Sequence, residues 1–318
     1  MNHALRLILL TLSLSSCVVP DAGQPASAAP AMSPADAAVP ASDLATAPSL
    51  TPGFGELVVS LTFDDTYDDH YDFVRPVLDG IPATFYVNSP RLGAAGYMTE
   101  SEVHELQRAG HEIGSHTLHH LHLATLGAAE QRTEMCDDRA ALLALAFPVT
   151  TMAYPFGDEN DSAHAVAASC PFAGARDVGG LRNVNPLAGG KGYCGTAASS
   201  TAKADVEEIP PLSPFVIRSR ASIHTLCTVD DLRDMIQNAA ADHKELPLER
   251  RRWLVLTFHD FCDSCSGDSD TVQKSVFRSF VAWLRDQKGE IAVRNATGDE
   301  IARRPLVVRT VAQVLADK

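Results

Sequence analysis

The chain has 318 residues, and 26 Lys and Arg against 40 Asp and Glu give a formal net charge of −14. An acidic balance without a basic patch lacks the footprint that a phosphate backbone requires, which excludes a nucleic-acid partner. The 45% hydrophobic content suits a globular chain with a core to bury.

The first 17 residues, MNHALRLILLTLSLSSC, join a basic start at Arg6 to an apolar run too short to span a bilayer, the pattern of a secretory signal. The signal ends in Leu14-Ser15-Ser16-Cys17, which looks like a bacterial lipobox with Cys17 as the lipidated residue. The alternative is an ordinary cleaved signal with a chance Cys; either way the expectation is an exported protein, on the lipobox reading held at a membrane by its lipid. Residues 18–54 are dominated by Ala, Pro and Ser with no Lys or Arg and no periodic apolar face, so they are expected to be a disordered tether. Residues 55–318 are left as one domain. Besides Cys17 there are six cysteines, an even number that favours disulfides in an exported chain, with fifteen possible pairings.

Within that domain, residues 56–63 (ELVVSLTF) predict a buried strand and residues 70–80 a helix ending at Gly80. The alternation then repeats. Residues 82–88 predict a strand, 99–110 a helix opened by a Thr-x-x-Glu capping box, and HEIGSH a short strand. A long helix over 125–146 follows, then strands at 149–155, 172–176, 215–220 and 253–260, with helical segments at 161–169, 229–241 and 271–287. Strands alternating with helices imply parallel βα units, in a barrel or an open doubly wound sheet. Both architectures gather functional residues at the carboxyl ends of the strands. Asp64-Asp65, His116, Tyr154-Pro155-Phe156 and His259-Asp260 all fall there.

Adjacent carboxylates at a strand end repel and cost desolvation, so Asp64 and Asp65 call for a compensating cation. His116 and His120, spaced i, i+4, would share one face of a helical turn. Two imidazoles with a carboxylate from Asp64 or Asp65 leave a coordination position for water, which suits Zn²⁺ or a similar divalent metal. Calcium fits poorly, because an EF-hand loop from Asp64 would need Gly where Asp69 stands and Glu where Arg75 stands. The zinc-protease helix His-Glu-x-x-His also fails, since Ser115 occupies its fifth position; His111 and Glu112 read as structural. His119 and His122 read as surface or supporting residues.

The motifs LTFDD, ATFYV, GHEIGSHTLHH, YPFG and LTFHD, in that order, resemble the polysaccharide deacetylase family, also called carbohydrate esterase family 4, over about residues 57–260. The resemblance implies a distorted (β/α) barrel, a divalent metal that is usually zinc, and removal of acetyl groups from an acetylated polysaccharide or oligosaccharide. It implies Asp64 as general base, Asp65, His116 and His120 as metal ligands, and His259 as general acid. It further implies Leu256 lining a pocket for the acetyl methyl, Tyr154 among the substrate-binding residues, and the Phe156 backbone N–H holding the oxyanion.

The chain departs from the family pattern at Ala153, where many members carry Arg. Arg176 either replaces the missing guanidinium or forms a surface ion pair with Asp177. Cys262-x-x-Cys265, just after His259, reads as a structural disulfide rather than a redox motif. The polar stretch 180–214 reads as a substrate-groove loop or as decoration. Three functions stay open: an N-acetyl deacetylase, an O-acetyl esterase on xylan or a similar glycan, and a catalytically silent glycan binder. A glycosidase is disfavoured, because its carboxylates should flank a bond rather than sit adjacent.

Overall fold

Strand β1 (Leu57–Phe63) is buried along its whole length, which places it at the centre of the molecule. The structure, a computed structural model, describes residues 54–198, 204–241, 246–265, 270–295 and 297–317. The expected signal, Cys17 and all but the last residue of the expected tether lie outside the described residues.

Around β1 run β2 (Thr84–Val87), β3 (Glu112–Ser115), β4 (Thr151–Ala153), β5 (Gly174–Gly180), β7 (Ile217–Ser219) and β8 (Arg252–Phe258). All pair in parallel in the order β1-β2-β3-β4-β5-β7, and β8 returns to β1 in parallel. The gap between β7 and β8 is bridged just past β7, where Arg220 N–H donates to Val255 O (3.0 Å) and Ile223 N–H to Thr257 O (2.9 Å). The sheet is thus a distorted (β/α) barrel of seven parallel strands, as expected. Short β6 (Glu207–Glu208) adds antiparallel to β8. A two-stranded ribbon, β9 (Phe261–Cys262) with β10 (Val272–Gln273), follows the end of β8.

Strand periodicity of two assigns each side chain to a layer. On β1, Leu57, Val59, Leu61 and Phe63 join the large core under the helices, whereas Val58 packs with Trp253, Val255 and Ile217 inside the barrel. Each such fully buried side chain contributes on the order of 1.5–3 kcal/mol. Ser60 shares the inner layer, accepting from Trp253 Nε1 (2.9 Å) and donating to Arg309 O (2.7 Å). Thr62 is the next residue of that inner set, and Asp64 follows it at the barrel mouth.

The helices are α1 (Arg75–Leu78), α2 (Glu100–Arg108), α3 (Ala128–Arg132), α4 (Asp138–Ala144), α5 (Asp161–Ser169), α6 (Val229–Ala240), α7 (Lys274–Asp286) and α8 (Val311–Ala316). The predicted capping box on α2 forms: Thr99 Oγ1 accepts from Glu102 N–H (3.3 Å) and Glu102 Oε2 from Thr99 N–H (2.6 Å). Two predicted helices are less regular than their periodicity suggested. A wide π-turn at His70–Val74 precedes α1, and another at Thr133–Asp137 separates α3 from α4; such turns concentrate near functional sites because they re-aim side chains.

The antiparallel pair β11 (Glu290–Arg294) and β12 (Glu300–Val308), and α8 after it, were not read from the sequence. β12 adds parallel to the start of β1. Val311 and Val314 of α8 enter the inner cluster with Val58 and Trp253, so α8 plugs the floor of the barrel. Three disulfides account for the six cysteines, Cys136–Cys170, Cys194–Cys227 and Cys262–Cys265.

Candidate active site

The mouth of the barrel brings together four segments that are far apart in sequence. After β1 the backbone turns sharply, with Asp65 and Thr66 both at positive φ (78° and 71°), a strained geometry that persists only where the surroundings enforce it. Asp64 is held by its N–H to Phe258 O (3.0 Å). Its side chain is 1% exposed.

Asp65 Oδ1 lies 3.2 Å from His120 Nε2 and 3.8 Å from His116 Nε2. Asp65 Oδ1 and one ring nitrogen of each histidine lie within 4.8 Å of one another, a separation that one cation can bridge. His116 Nδ1 faces Ala153 O at 2.9 Å. Donation there fixes the tautomer and leaves Nε2 as the ligand atom. That nitrogen is buried and has no hydrogen-bond partner. A buried ring nitrogen left open, beside a carboxylate and a second imidazole, fits a divalent metal.

The two histidines converge, but not on a helix as their spacing suggested. Thr117 and His120 take positive φ (66° and 56°) in an irregular loop. Asn88 Nδ2 holds that loop by donating to His116 O (2.5 Å) and Thr117 O (2.9 Å). His119 pairs with Glu134 (2.7 Å) and His122 with Asp158 (3.1 Å), both turned away from Asp65.

Arg176 is fully buried, and its Nη2 donates to Asp64 Oδ2. In register, Arg176 on β5 is the direct neighbour of Ala153 on β4. The guanidinium expected at position 153 is therefore supplied from the next strand at the same level. The alternative surface pair with Asp177 does not form: Arg176 is fully buried on Asp64 and acts on Asp177 only from beyond ion-pair distance, alongside Glu159 and His164. Burial raises the Asp64 pKa, yet Arg176, His116 and His259 together outweigh it and hold the carboxyl below the usual carboxylate range. Asp65 is lowered in the same way, burial being outweighed by His116, His120, His259 and Arg91.

His259 Nε2 stands 3.7 Å from Asp64 Oδ2. Its backbone is gripped from the π-turn after β1: His70 Nε2 lies 2.7 Å from His259 O, and Asp69 Oδ2 accepts Phe261 N–H at 2.8 Å. Burial drives the His70 pKa down to about 4, so the ring is a neutral donor. Phe156 sits at φ 60° in a short 3₁₀ turn, where early N–H groups have no acceptor within the turn. Its half-exposed ring stacks on His122 (4.0 Å) and meets the His120 ring edge-on (4.5 Å).

Two expected substrate contacts are corrected. Leu256 is three residues from His259, an odd interval that puts it on the opposite face of β8; it is fully buried in the outer core with Leu61 and Phe63. Tyr154 is also fully buried, and its hydroxyl donates to Phe215 O (3.1 Å). Neither side chain reaches the cleft.

Arg91, His70 and Asn88 were missed by the sequence reading. Arg91 Nη1 donates to Asp65 Oδ1 (2.8 Å) and Asp65 O (3.0 Å). Asn88 ends the predicted strand 82–88 and Arg91 lies three residues beyond it, so the rule that placed Asp64 and His116 at strand ends would have found them. His70 carried no such signal, being inside an apparent helix.

Residues 53–175 match the family model described as polysaccharide deacetylase. A Bacillus subtilis (strain 168) protein named as a polysaccharide deacetylase, YxkH, is 35% identical over 109 residues, 33% of this chain and 39% of that one. A chitin deacetylase from Pestalotiopsis sp is 36% identical over 100 residues, 30% of this chain and 33% of that one. The chain thus spans about a third to two fifths of the length of these curated relatives. Among solved structures, the Streptococcus pyogenes deacetylase PplD in complex with acetate is similar at 28% identity, covering 37% of this chain and 54% of that one with a TM-score of 0.36. The Xyl-CE4 domain of a multidomain xylanase from the hindgut metagenome of Trinervitermes trinervoides is similar at 16% identity, covering 82% and 90% with a TM-score of 0.46.

Proposed function

We propose, from the premise that residues 53–175 are a polysaccharide deacetylase domain, that the protein is a metal-dependent hydrolase removing acetyl groups from a carbohydrate polymer, with the N-acetyl group of an aminosugar glycan as its target. The observation that carries this reading is the open, buried Nε2 of His116 beside Asp65 and His120. These three residues would hold the metal. When bound, a divalent ion such as Zn²⁺ supplies Lewis-acid polarisation of an acetyl carbonyl and lowers the pKa of a bound water toward about 7.

The remaining roles belong to this chain's own groups. Asp64, kept ionised by Arg176, takes the proton of the attacking water as general base. Arg176 also fixes which way that carboxylate points. The Phe156 N–H donates to the oxyanion, a contribution for which one lost donor typically costs about 10²–10³ in rate. His259 Nε2 delivers a proton to the departing nitrogen or oxygen, which an amide leaving group requires because amine anions leave poorly. O-acetyl esterase activity on xylan would use the same groups. We further read the protein as exported and anchored through a lipid on Cys17, which metabolic labelling with a radiolabelled fatty acid, lost on Cys17→Ser, would test.

The test of the main reading is acetate release by the purified protein from N-acetylglucosamine oligomers and from acetylated xylan, with chelator and with Zn²⁺ restored. Chelator-sensitive acetate from the oligomers supports the reading, and acetate from xylan alone transfers it to the esterase. A protein with stoichiometric metal and no acetate from either substrate would refute it.

A further inference from the structure

Beside the mouth, between the 180–198 segment and α6, lies a cavity of about 230 Å³. At about 30 Å³ per water, it has room for a sugar-sized group rather than a lone solvent molecule. Leu181, Asn183, Tyr193, Arg220, Ala221 and His224 line it. Arg220 to Ser222 continue directly from the carboxyl end of β7. Ile223 N–H is bonded to Thr257 O, so this wall sits on the rim two residues before His259. At about 3.3 Å per strand residue, the cavity wall and the proposed acid are about 7 Å apart along the strand.

Arg220 is 2% exposed. Its Nη1 donates to Arg182 O and its Nη2 to Asp205 O (3.2 Å), both neutral carbonyls, while Nε has no acceptor. The Asp205 carboxylate is engaged by Arg182 at 2.7 Å. No carboxylate among the described residues lies within ion-pair distance of Arg220. The Tyr193 ring beneath its guanidinium (4.9 Å) offsets part of the desolvation. Asp205 attracts the guanidinium only from beyond ion-pair distance; binding two carbonyls needs only a neutral donor, whereas a buried full charge with no counter-charge in contact is costly and is retained where an anion completes it.

We propose that this cavity is a subsite for a carboxylate on the glycan, so that the polymer served by the mouth carries acidic sugars. The proposal rests on the hydrolase reading only for the nature of the polymer. Its chemistry is a single carboxylate accepting from the guanidinium, whether that carboxylate belongs to a uronic acid or to the lactyl ether of a muramic acid.

The test is calorimetric titration of the full-length protein with two probes that need no hydrolysis: a xylo-oligosaccharide bearing glucuronic acid, and the N-acetylglucosaminyl–N-acetylmuramic acid disaccharide. Each is run beside its carboxyl-reduced counterpart. We expect at least a tenfold preference for the acidic form of one probe, and the probe that shows it identifies the source. Ala221→Asp, at an exposed position on the cavity wall, should abolish that preference without touching the buried Arg220 bonds. Equal affinity for acidic and reduced forms, no binding of either probe, or a preference that survives Ala221→Asp overturns the subsite. A protein that prefers the acid but releases no acetate keeps the subsite and refutes the hydrolase; one that deacetylates neutral glycans with no carboxylate preference does the reverse.

Discussion

The two ends of the barrel each bury a carboxylate, and they treat it in opposite ways. At the floor, Glu112 Oε1 accepts from Thr151 Oγ1, and Oε2 accepts from Thr84 Oγ1 (2.8 Å) and Ala312 N–H (2.8 Å). Every lone pair that matters is engaged by a neutral donor, and burial raises its pKa. At the mouth, Asp64 has an unpartnered Oδ1, Asp65 shares Oδ1 with Arg91, and His116 Nε2 is open. There guanidinium cations hold the carboxylates, Arg176 on Asp64 and Arg91 on Asp65. The floor is built to be finished, the mouth to be completed by something else.

That contrast can be broken most severely at Asp64. Asp64→Asn keeps the shape and removes the base, and turnover should fall by about 10²–10⁴ with metal content by atomic absorption unchanged. Removing the cation behind it, Arg176→Met, should cost about 10²-fold and leave a different signature. Without the guanidinium the Asp64 pKa rises, so the limb of the pH–rate profile on which the base must be ionised moves to higher pH; an unshifted limb would deny Arg176 its role. At the floor, Glu112→Gln turns one acceptor into a donor facing hydroxyls and an N–H. The expected loss is about 1–3 kcal/mol of stability by chemical denaturation, with turnover per folded molecule within about twofold of wild type. Altered turnover at full occupancy of the fold would dissolve the division between the ends.

The smallest effect is sought at His111, at the start of β3, where burial, then Arg75, pushes the pKa from 6.5 down to about 4. The unfolded chain takes up a proton below pH 6.5 that the native ring refuses until about pH 4, so stability drains away between those values as pH falls. His111→Leu should therefore flatten the stability profile by about 2 kcal/mol between pH 7 and pH 4.5, measured by urea unfolding at both pH values. Equal slopes in the two proteins would show that the ring is not buried neutral.

How the sequence carried this information also divides by region. The pairing of acidic and imidazole groups with strand ends was visible, because strands are apolar runs and their carboxyl ends are where polar residues reappear. Leu256 and Tyr154 were misplaced although the information was present, since counting in twos along β8 separates Leu256 from His259. The geometry of His116 and His120 was not visible: spacing predicts a helix, and only the packing of Asn88 and Glu134 against the loop produces the left-handed turns that bring the rings together. Arg176 was visible as a candidate but not as a neighbour, because register between β4 and β5 is fixed by tertiary pairing. The β11–β12 pair and α8 escaped for two reasons: β12 is polar and half-exposed and carries little periodic signal, while β11 and α8 are apolar but only five and six residues long, too short to show a period.

That closure has a kinetic side. Ser60 on β1 donates to Arg309 O across 249 residues, and β12 and α8 complete the strand pairing and the plug that β1 needs. Contacts so distant in sequence form late and slowly, since loop closure must precede any gain from them. A chain emerging vectorially from a ribosome therefore leaves Leu57–Val59 of its central strand without a partner on one side until residues 300–316 have followed. Throughout that interval the open stretch of β1 offers free backbone groups to any neighbouring chain, which makes aggregation during synthesis the hazard this topology carries.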